Sequence, residues 1–331
     1  MRIVDPGLMT TVQDLGRFGY QKDGITSGGA MDPLALRVAN ILVGNEEHEA
    51  GLEITLKGPT IEFLHDSLIA ICGADLSPKI ADFKLPNWCA ISVKEGSILA
   101  FGDNRWGCRA YLAVSGGIAV PEVMNSKSTY LRAAIGGIDG RPLKAGSDVP
   151  VGSDRTDTFQ VRTSGPLPFA LTERLLRTED ALAFYERDRP LSALRGPHWE
   201  LFDERDRGLF LHEAFEVSAS SDRMGYRLSG PPLDSRKRDE LISSAVLSGT
   251  VQVPPSGEPI VLMADRQTTG GYPVIGLVAT ADLPLVAQLR PGDEVRFEEV
   301  TIEWAQTALR SQAGRLRSFK KEVVTHVPDR S

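Results

Sequence analysis

Cysteine is scarce in this sequence, with three residues, Cys72, Cys89 and Cys108, among 331. The odd number argues against a disulfide framework, and the spacings match neither a CxxC redox pair nor a zinc site. Long apolar runs are also missing. No stretch is long enough to span a bilayer, and residues 1–7 lack the apolar core of a signal peptide. We therefore expect a cytoplasmic protein.

Net positive charge is missing as well. The chain has 37 Lys and Arg against 44 Asp and Glu, which gives a formal net charge of −7. This balance argues against nucleic acid and against an anionic membrane surface as partners. Hydrophobic residues make up 41% of the chain, enough for a core that is large for one domain. The polar, turn-rich stretch 151–157 predicts a boundary between two halves, residues 1–155 and 156–331.

Several common catalytic motifs cannot be found. The sequence has no G-x-S-x-G nucleophile elbow and no G-x-G-x-x-G after a predicted strand. Lys127-Ser128 resembles the end of a Walker A loop, but Pro121 and Ser126 stand where that loop needs glycine. The histidines show no metal-ligand spacing. A nucleotide would have to be bound without these loops.

Short apolar or alternating runs, bounded by Gly, Pro, Asp or Asn, predict a mainly β fold with a few helices. One helix is predicted to begin after Asp32 as cap, with Pro33 in its first turn, and to end at Gly44. Two more are predicted at 171–187 and from about residue 301. Strands are predicted at 52–56, 67–71, 98–101, 111–114, 250–253, 260–263 and 295–297.

Polar groups and glycines are concentrated in four segments, of which two lie in the first half. The first covers residues 10–17, where Gln13, Asp14 and Arg17 can orient a substrate near the glycines of 28–32. The alternative is a turn in which Asp14 and Arg17 pair with each other.

The second segment covers residues 126–132, with glycines and a further arginine downstream. There Ser126, Lys127 and Thr129 place hydroxyls beside a cation and can hold a carboxylate or phosphate oxygen. The alternative is a solvated loop.

The third segment, residues 220–227, carries two arginines four positions apart. A turn can direct Arg223 and Arg227 onto one anion. The alternative is structural ion pairing with Asp222 or another neighbouring acid.

The fourth segment follows a predicted strand and combines Gln252 with the loop 265–273. Its amide, acid and hydroxyl groups can bind an amide-like substrate, and two glycines can present N–H groups to an oxyanion. The loop residues concerned are Asp265, Gln267, Thr268, Thr269, Gly270, Gly271 and Tyr272. The alternative is a tight loop whose glycines need positive φ.

Taken together, these segments resemble one family. The stretches that match, in family order, are TTVQDLGRFGY, GAMDPLALRVANILVGN, LEITLKGP, RAYLAVSGGI, SSDRMGYRLSG, VQVPPSGEPIVLMADRQTTGGYPVIG and AQLRPGDEVRF. They are similar to allophanate hydrolase subunit 2, the biotin-dependent-carboxyltransferase-like family. This family includes 5-oxoprolinase C subunits, KipA regulators and part of urea carboxylase. MGYRLSG and PIVLMADRQTTGGYP look most like the 5-oxoprolinase C subunits.

The resemblance implies a fold of two cyclophilin-like β-barrel units, a barrel-like half at 1–155 and a cyclophilin-like half at 156–331. It implies an ATP-dependent 5-oxoprolinase subunit that opens the lactam of 5-oxoproline to glutamate, active only with its partners. Those partners are the KipI-like B subunit and the A subunit of 5-oxoprolinase. ATP with Mg is the implied cofactor, held here, on the partner or between them. One departure is Lys127, where the family pattern has arginine.

Three other functions remain open. One is a carboxyltransferase component of a urea or amide carboxylase. Another is a KipA-type regulator that binds a KipI-like inhibitor of a histidine kinase. The third is a plain binding module for small carboxylated amides.

Under the 5-oxoprolinase hypothesis, Asp265, Gln267 and Arg223 are the candidate catalytic residues. Arg223, Arg227 and Lys127 would face anionic groups. Asp265 would position a proton or a magnesium ion, with Asp14 as a weaker alternative. The candidate substrate-binding residues are Gln252, Thr268, Thr269, Gly270, Gly271, Tyr272, Arg227, Gln13, Asp14, Arg17, Ser126, Lys127 and Thr129. The hypothesis requires the turn at Arg223 and the loop 267–272 to face one cleft.

Overall fold

The computed structural model describes residues 1–153, 168–176, 180–181, 184–185, 189–234 and 241–325. Strands prevail over helices in this part of the chain, so the predicted mainly β class is confirmed. Its α-helices are α1 (Pro33–Leu42), α2 (Glu204–His212), α3 (Leu283–Ala287) and α4 (Ile302–Thr325). None of the described helices has the length and apolar content that crossing a membrane requires.

The chain forms two compact units. Unit 1 comprises residues 1–17, 28–184 and 315–331, and unit 2 comprises 18–27 and 185–314. The predicted boundary at residue 155 lies outside the described residues and stays a prediction.

Unit 1 contains two sheets. Their strands are β1 (Arg2–Asp5), β2 (Met9–Gln13), β3 (Gly51–Thr55), β4 (Thr60–Glu62), β5 (Ser67–Asp75), β6 (Lys79–Ile80), β7 (Phe83–Lys84), β8 (Cys89–Val93), β9 (Ile98–Ala100), β10 (Trp106–Val114) and β11 (Phe169–Leu175). One sheet has the order β1-β4-β9-β6-β7 and the other β11-β8-β5-β10-β3-β2. Both contribute inward side chains, such as Ile3, Leu99 and Ile71, to a single core, because successive residues of a strand face opposite sides.

Unit 2 is built on one eight-stranded sheet with the order β20-β13-β14-β17-β16-β19-β12-β21. The strands of unit 2 are β12 (Leu191–Arg195), β13 (Phe215–Val217), β14 (Gly225–Ser229), β15 (Ser244–Ala245), β16 (Thr250–Gln252), β17 (Ile260–Leu262), β18 (Thr269–Gly270), β19 (Val274–Val278), β20 (Glu294–Val295) and β21 (Phe297–Glu299). Strands β15 and β18 form a separate ribbon. Phe297 packs in the core, with ring centroids 4.5 Å from Phe210 and 6.2 Å from Phe215.

The predicted helix after Asp32 is confirmed. The Asp32 carboxylate accepts from the Ala35 N–H at 3.0 Å, as an N-cap does, and Pro33 opens the helix. Gly44 follows the end with φ of 79°, a left-handed conformation that glycine adopts without strain. The helix predicted from about residue 301 is also confirmed as α4.

The helix predicted at 171–187 is wrong at its start, where residues 171–175 form a strand, whereas residues 180–181 are helical. Residues up to Leu175 belong to strand β11, which pairs antiparallel with β8 from Phe169↔Val93 onward. The Thr172 hydroxyl also donates to the Ala90 carbonyl at 2.9 Å. Pairing with β8 supplies backbone partners that outweigh the helical propensity of a charged segment. The rest of this prediction falls largely on residues outside the described set.

The predicted strands agree with the structure more closely than the predicted helices do. Each one coincides with an observed strand to within a few residues, except that 295–297 is divided between β20 and β21 at Arg296.

Candidate functional site

The third and fourth polar segments come together in unit 2 through a buried ion pair. Arg223 donates from Nε to Asp265 Oδ2 at 2.9 Å and from Nη2 to Oδ1 at 3.0 Å. Each residue is 4% exposed. The main chain adds a bond from the Asp265 N–H to the Arg223 carbonyl at 2.8 Å. The geometry matches the alternative interpretation of this segment, a structural ion pair with an acid.

Arg227 lies in a different environment from Arg223. It is an exposed residue on strand β14, two positions beyond the start of that strand. The two arginines were predicted to converge on one anion, but only Arg227 is open to solvent, and Arg223 already has a bidentate acidic partner.

Two glutamine amides pair with each other: Gln267, two residues after Asp265, is half-buried, and Gln252 is buried. Gln267 Nε2 donates to Gln252 Oε1 at 3.2 Å, and Gln252 is 2% exposed at the end of β16. Gln252 Nε2 is buried and has no hydrogen-bond partner among the described residues. A buried amide donor without an acceptor is costly to a folded protein, so it marks a place where a ligand acceptor would be stabilising.

Gly270 lies directly against this amide. A Cβ placed on Gly270 would be 2.4 Å from Gln252 Nε2, so a larger residue at position 270 would require the Gln252 side chain to move. Neither Gly270 nor Gly271 has positive φ, so the alternative that these glycines serve a tight left-handed turn is wrong. Gly270, but not Gly271, allows the backbone to lie close to the Gln252 amide.

The other loop residues lie at the surface. Thr269, Gly271 and Tyr272 are exposed, and Thr268 is half-buried with its carbonyl bonded to the Val246 N–H at 3.2 Å. These exposed residues leave this end of the loop accessible from solvent.

Sequence reasoning missed Arg266, which lies between two predicted site residues. It is 5% exposed, and burial lowers the pKa of its guanidinium. Its partners are neutral: Nη1 donates to Ser248 Oγ at 2.8 Å and Nε to the Val246 carbonyl at 3.2 Å. A buried arginine beside a polar loop is visible in sequence only as one more charged residue, because its burial depends on distant segments.

The first and second segments come together in unit 1, around the carboxylate of Asp14. Its Oδ1 accepts from the hydroxyls of Ser126 at 2.8 Å and Ser128 at 2.5 Å, and from the Gly16 N–H at 2.8 Å. Its Oδ2 accepts from the Lys127 N–H at 2.6 Å. These partners of Asp14 are all hydroxyls or backbone N–H groups. The Asp14–Arg17 pair that was the alternative for this segment is not formed, and the carboxylate instead fixes the loop 126–128.

Arg17 serves the same loop from another side. It is fully buried, and it donates to the carbonyls of Val123 at 2.8 Å and Ser128 at 2.9 Å. Gln13 and Thr129 are also fully buried. Gln13 Nε2 bonds the Thr129 carbonyl at 3.1 Å, and the Thr129 hydroxyl bonds the Val12 carbonyl at 3.0 Å. These contacts hold the loop against strand β2.

Lys127 lines a small pocket beside this loop. Its Nζ lies 3.1 Å from Glu49 Oε2, so its charge has an acidic partner. The pocket measures about 110 Å³ and is lined by Asp14, Leu15, Gly16, His48, Glu49, Glu122, Asn125 and Lys127. This volume is small compared with the several hundred Å³ of typical cofactor sites. Its acidic lining also disfavours the anion that the sequence predicted there.

The described residues do not form a recognisable metal-binding site. Across the described ranges, no group of three or more His, Cys, Asp or Glu side chains is arranged to hold one. Asp265, which was expected to position a proton or a magnesium ion, has both carboxylate oxygens bonded to Arg223.

Comparison with known proteins identifies the family. The model of the carboxyltransferase domain, subdomain A and B, matches residues 23–299. The chain belongs to this carboxyltransferase-domain family.

Relatives of this carboxyltransferase-domain protein cover almost its full length. The 5-oxoprolinase C subunit of Escherichia coli (strain K12) is 38% identical over 312 residues, 94% of this chain and 95% of that protein. The Haemophilus influenzae 5-oxoprolinase C subunit is 38% identical over 303 residues, 92% of each. The solved structure of Kluyveromyces lactis urea carboxylase is 30% identical with a TM-score of 0.85, covering 99% of this chain and 30% of that one. The resemblance expected from the sequence is confirmed.

Proposed function

We propose that this chain is the C subunit of an ATP-dependent 5-oxoprolinase, which opens the lactam of 5-oxoproline to glutamate together with partner subunits. The 38% identity to two 5-oxoprolinase C subunits over nearly whole chains supports this. The structural observation that carries it is the buried Gln252 Nε2, an amide donor without an acceptor among the described residues, in contact range of the Gly270 backbone.

A lactam fits that donor. Its carbonyl oxygen is the strong acceptor that Gln252 Nε2 lacks, and negative charge develops on this oxygen when the ring is activated. Gln267 orients the Gln252 amide by bonding its Oε1, which leaves Nε2 directed to the ligand. We assign Gln252 to substrate contact and Gln267 to positioning, with the hydroxyls of Thr268 and Thr269 at the open side of the loop.

The Arg223–Asp265 pair has a positioning role in this proposal. Both side chains are buried and satisfy each other, so neither is available for proton transfer or for an anion. The pair instead ties the start of the 265–273 loop to the turn before β14. This revises the catalytic roles expected for Arg223 and Asp265.

ATP remains part of the proposal, as the source of energy for opening a resonance-stabilised amide. The described residues include no group of acidic side chains arranged to hold magnesium. We propose that a KipI-like B subunit and an A subunit complete the enzyme. The relatives are themselves named as C subunits, which supports the existence of such partners.

A second candidate is a carboxyltransferase component acting on urea or a related amide. The fold agreement with urea carboxylase, at a TM-score of 0.85, favours it. Urea also presents an amide carbonyl to Gln252, so the Gln252 site alone does not separate the two substrates.

The test is co-expression of this chain with its genomic neighbours, followed by ATP hydrolysis assays with 5-oxoproline and with urea. The proposal predicts stimulation by 5-oxoproline and none by urea. Stimulation by urea alone would support the second candidate. Gln252→Ala should abolish the stimulation, and Gln306→Ala, an exposed glutamine on α4, is the matched control that should retain it.

A further inference from the structure

Arg266 is a buried cation in unit 2 for which the described residues provide no acidic partner. Its hydrogen bonds go to the Val246 carbonyl at 3.2 Å, to Ser248 Oγ at 2.8 Å and to Ser27 Oγ at 3.3 Å, with a longer one to the Met263 carbonyl at 3.4 Å. The donors in these bonds are Nε and Nη1. At 5% exposure, the side chain is about as buried as Arg223.

Arg223 and Arg266 are similarly buried, but among the described residues only the charge of Arg223 is neutralised by a carboxylate. Arg223 has a bidentate carboxylate, so that pair is neutral as a whole. Arg266, one residue beyond Asp265, is surrounded by dipoles alone, and dipoles leave its full positive charge uncompensated. Charges removed from water are normally paired, because an unpaired one is strongly destabilising. The lowered pKa of Arg266, caused by burial, agrees with an environment that lacks a counter-ion.

Two serine hydroxyls give this site the chemistry of an oxyanion cradle. Ser27 Oγ and Ser248 Oγ each accept from Arg266, which leaves each hydroxyl hydrogen free to donate. The Thr26 hydroxyl bonds the Ala264 carbonyl at 3.1 Å and holds the segment that carries Ser27 in place. Charge-assisted bonds from one guanidinium and two hydroxyls suit a group with one negative charge and two oxygens.

We propose that Arg266, Ser27 and Ser248 bind the carboxylate of a small cyclic amide acid. This inference rests on the proposed function, because 5-oxoproline is the acid that it names. Arg266 and Gln267 are consecutive in the chain, so one loop serves both ends of such a substrate: Arg266 the carboxylate, and Gln267, through Gln252, the lactam carbonyl. Urea has no carboxylate, so the site determines specificity.

The single positive charge favours a carboxylate over a polyphosphate. A nucleotide triphosphate carries several negative charges and is normally bound by several cations or by magnesium. Arg223 adds no free charge to the site, because Asp265, the residue before Arg266, already neutralises it. One monoanion balances Arg266.

The experiment is calorimetric titration of the full chain with three probes: 5-oxoproline, 2-pyrrolidinone, which has the lactam without the carboxylate, and inorganic phosphate. We expect the wild-type chain to bind 5-oxoproline at least tenfold more tightly than 2-pyrrolidinone. Arg266→Gln should remove this preference and leave the affinity for 2-pyrrolidinone unchanged. Arg266→Lys, which keeps the charge without the planar fork, should retain part of the preference. Arg310→Gln, an exposed arginine on α4, should retain all of it.

The ratio of the two dissociation constants separates a loss of carboxylate binding from a loss of folded protein. A variant that folds poorly loses signal for both ligands together, and the ratio of the two constants does not change. The inference is overturned if wild type binds neither lactam or shows no preference for the acid, or if Arg266→Gln keeps the preference. It is also overturned if Arg266→Gln removes binding of phosphate alone.

The proposed function can fail separately. It fails if the assembled complex does not couple ATP hydrolysis to 5-oxoproline, whatever the binding ratio of the chain. A collapse of the ratio in Arg266→Gln together with an inactive complex would leave the carboxylate site standing and remove the proposed activity.

Discussion

Asp265 and Arg223 join the two polar segments of unit 2 through a bidentate pair, with Nε–Oδ2 and Nη2–Oδ1 distances of 2.9 and 3.0 Å. The carboxylate lies at the start of the 265–273 loop, and the guanidinium lies in the turn before β14. Removing one partner would leave the other charge buried, so this pair should govern the stability of the loop.

We therefore predict that Asp265→Asn lowers the free energy of unfolding by about 3–5 kcal/mol, the usual cost of leaving a buried charge without its partner. Urea denaturation followed by circular dichroism measures it. Asp148→Asn is the matched control, because Asp148 pairs with Arg2 at an exposed site and its loss should cost far less. Equal effects of the two changes would contradict a buried structural role for Asp265.

Asp14 should be nearly as sensitive in unit 1. Its carboxylate accepts four bonds from hydroxyls and backbone N–H groups, and an asparagine amide would turn an N–H toward some of these donors. Asp14→Asn should cost about 1–3 kcal/mol of unfolding free energy. The same denaturation assay applies, with Asp5→Asn as control, since Asp5 is exposed and accepts one bond from the Gly7 N–H. A loss below that of the control would show that the Asp14 contacts are dispensable.

Gln252 and Gln267 should act as a unit. If Gln267 works by orienting Gln252, then Gln252→Ala and Gln267→Ala should each reduce 5-oxoproline-dependent turnover of the complex, and the double variant should be little worse than Gln252→Ala. The double-mutant cycle is measured on kcat/KM with intact complexes. Strictly additive losses would mean that the two amides contact the substrate independently.

Cys72 and Cys89 should react slowly with alkylating reagents in the folded chain. Burial raises the pKa of the Cys89 thiol to about 11 and raises that of Cys72 well above its ordinary value. At pH 8 only about one Cys89 side chain in a thousand would be the reactive thiolate, against roughly a quarter for a thiol of ordinary pKa. Iodoacetamide labelling followed by mass spectrometry should therefore be slow in native protein and rapid in urea. Fast native labelling at either position would contradict the buried environment.

Local signals in the sequence predicted the parts of the fold that depend on them. The Asp32 cap, Pro33 and Gly44 located α1, and the apolar run beginning at Ser67 located β5. The charged segment from Leu171 was misassigned as a helix because its strand character comes from pairing with β8, which is remote in sequence.

The candidate site was also predicted only in part from the sequence. Residue types identified the polar segments, and the family resemblance identified the substrate class. Burial decides what each polar residue does, and burial is not visible locally. From sequence, Arg223 was predicted to bind an anion, but in the structure it bonds Asp265, 42 positions later. Arg266 is one charged residue among many in the sequence, and only the structure shows that it bonds Ser27, 239 positions away.

Reconstitution by omission tests the central claim most directly. Glutamate formation from 5-oxoproline and ATP is measured with the partner subunits alone, and again after adding this chain as wild type or as Gln252→Ala. We predict no glutamate without the chain, sustained formation with wild type, and at least a tenfold loss with Gln252→Ala. Equal rates with and without the chain would contradict it.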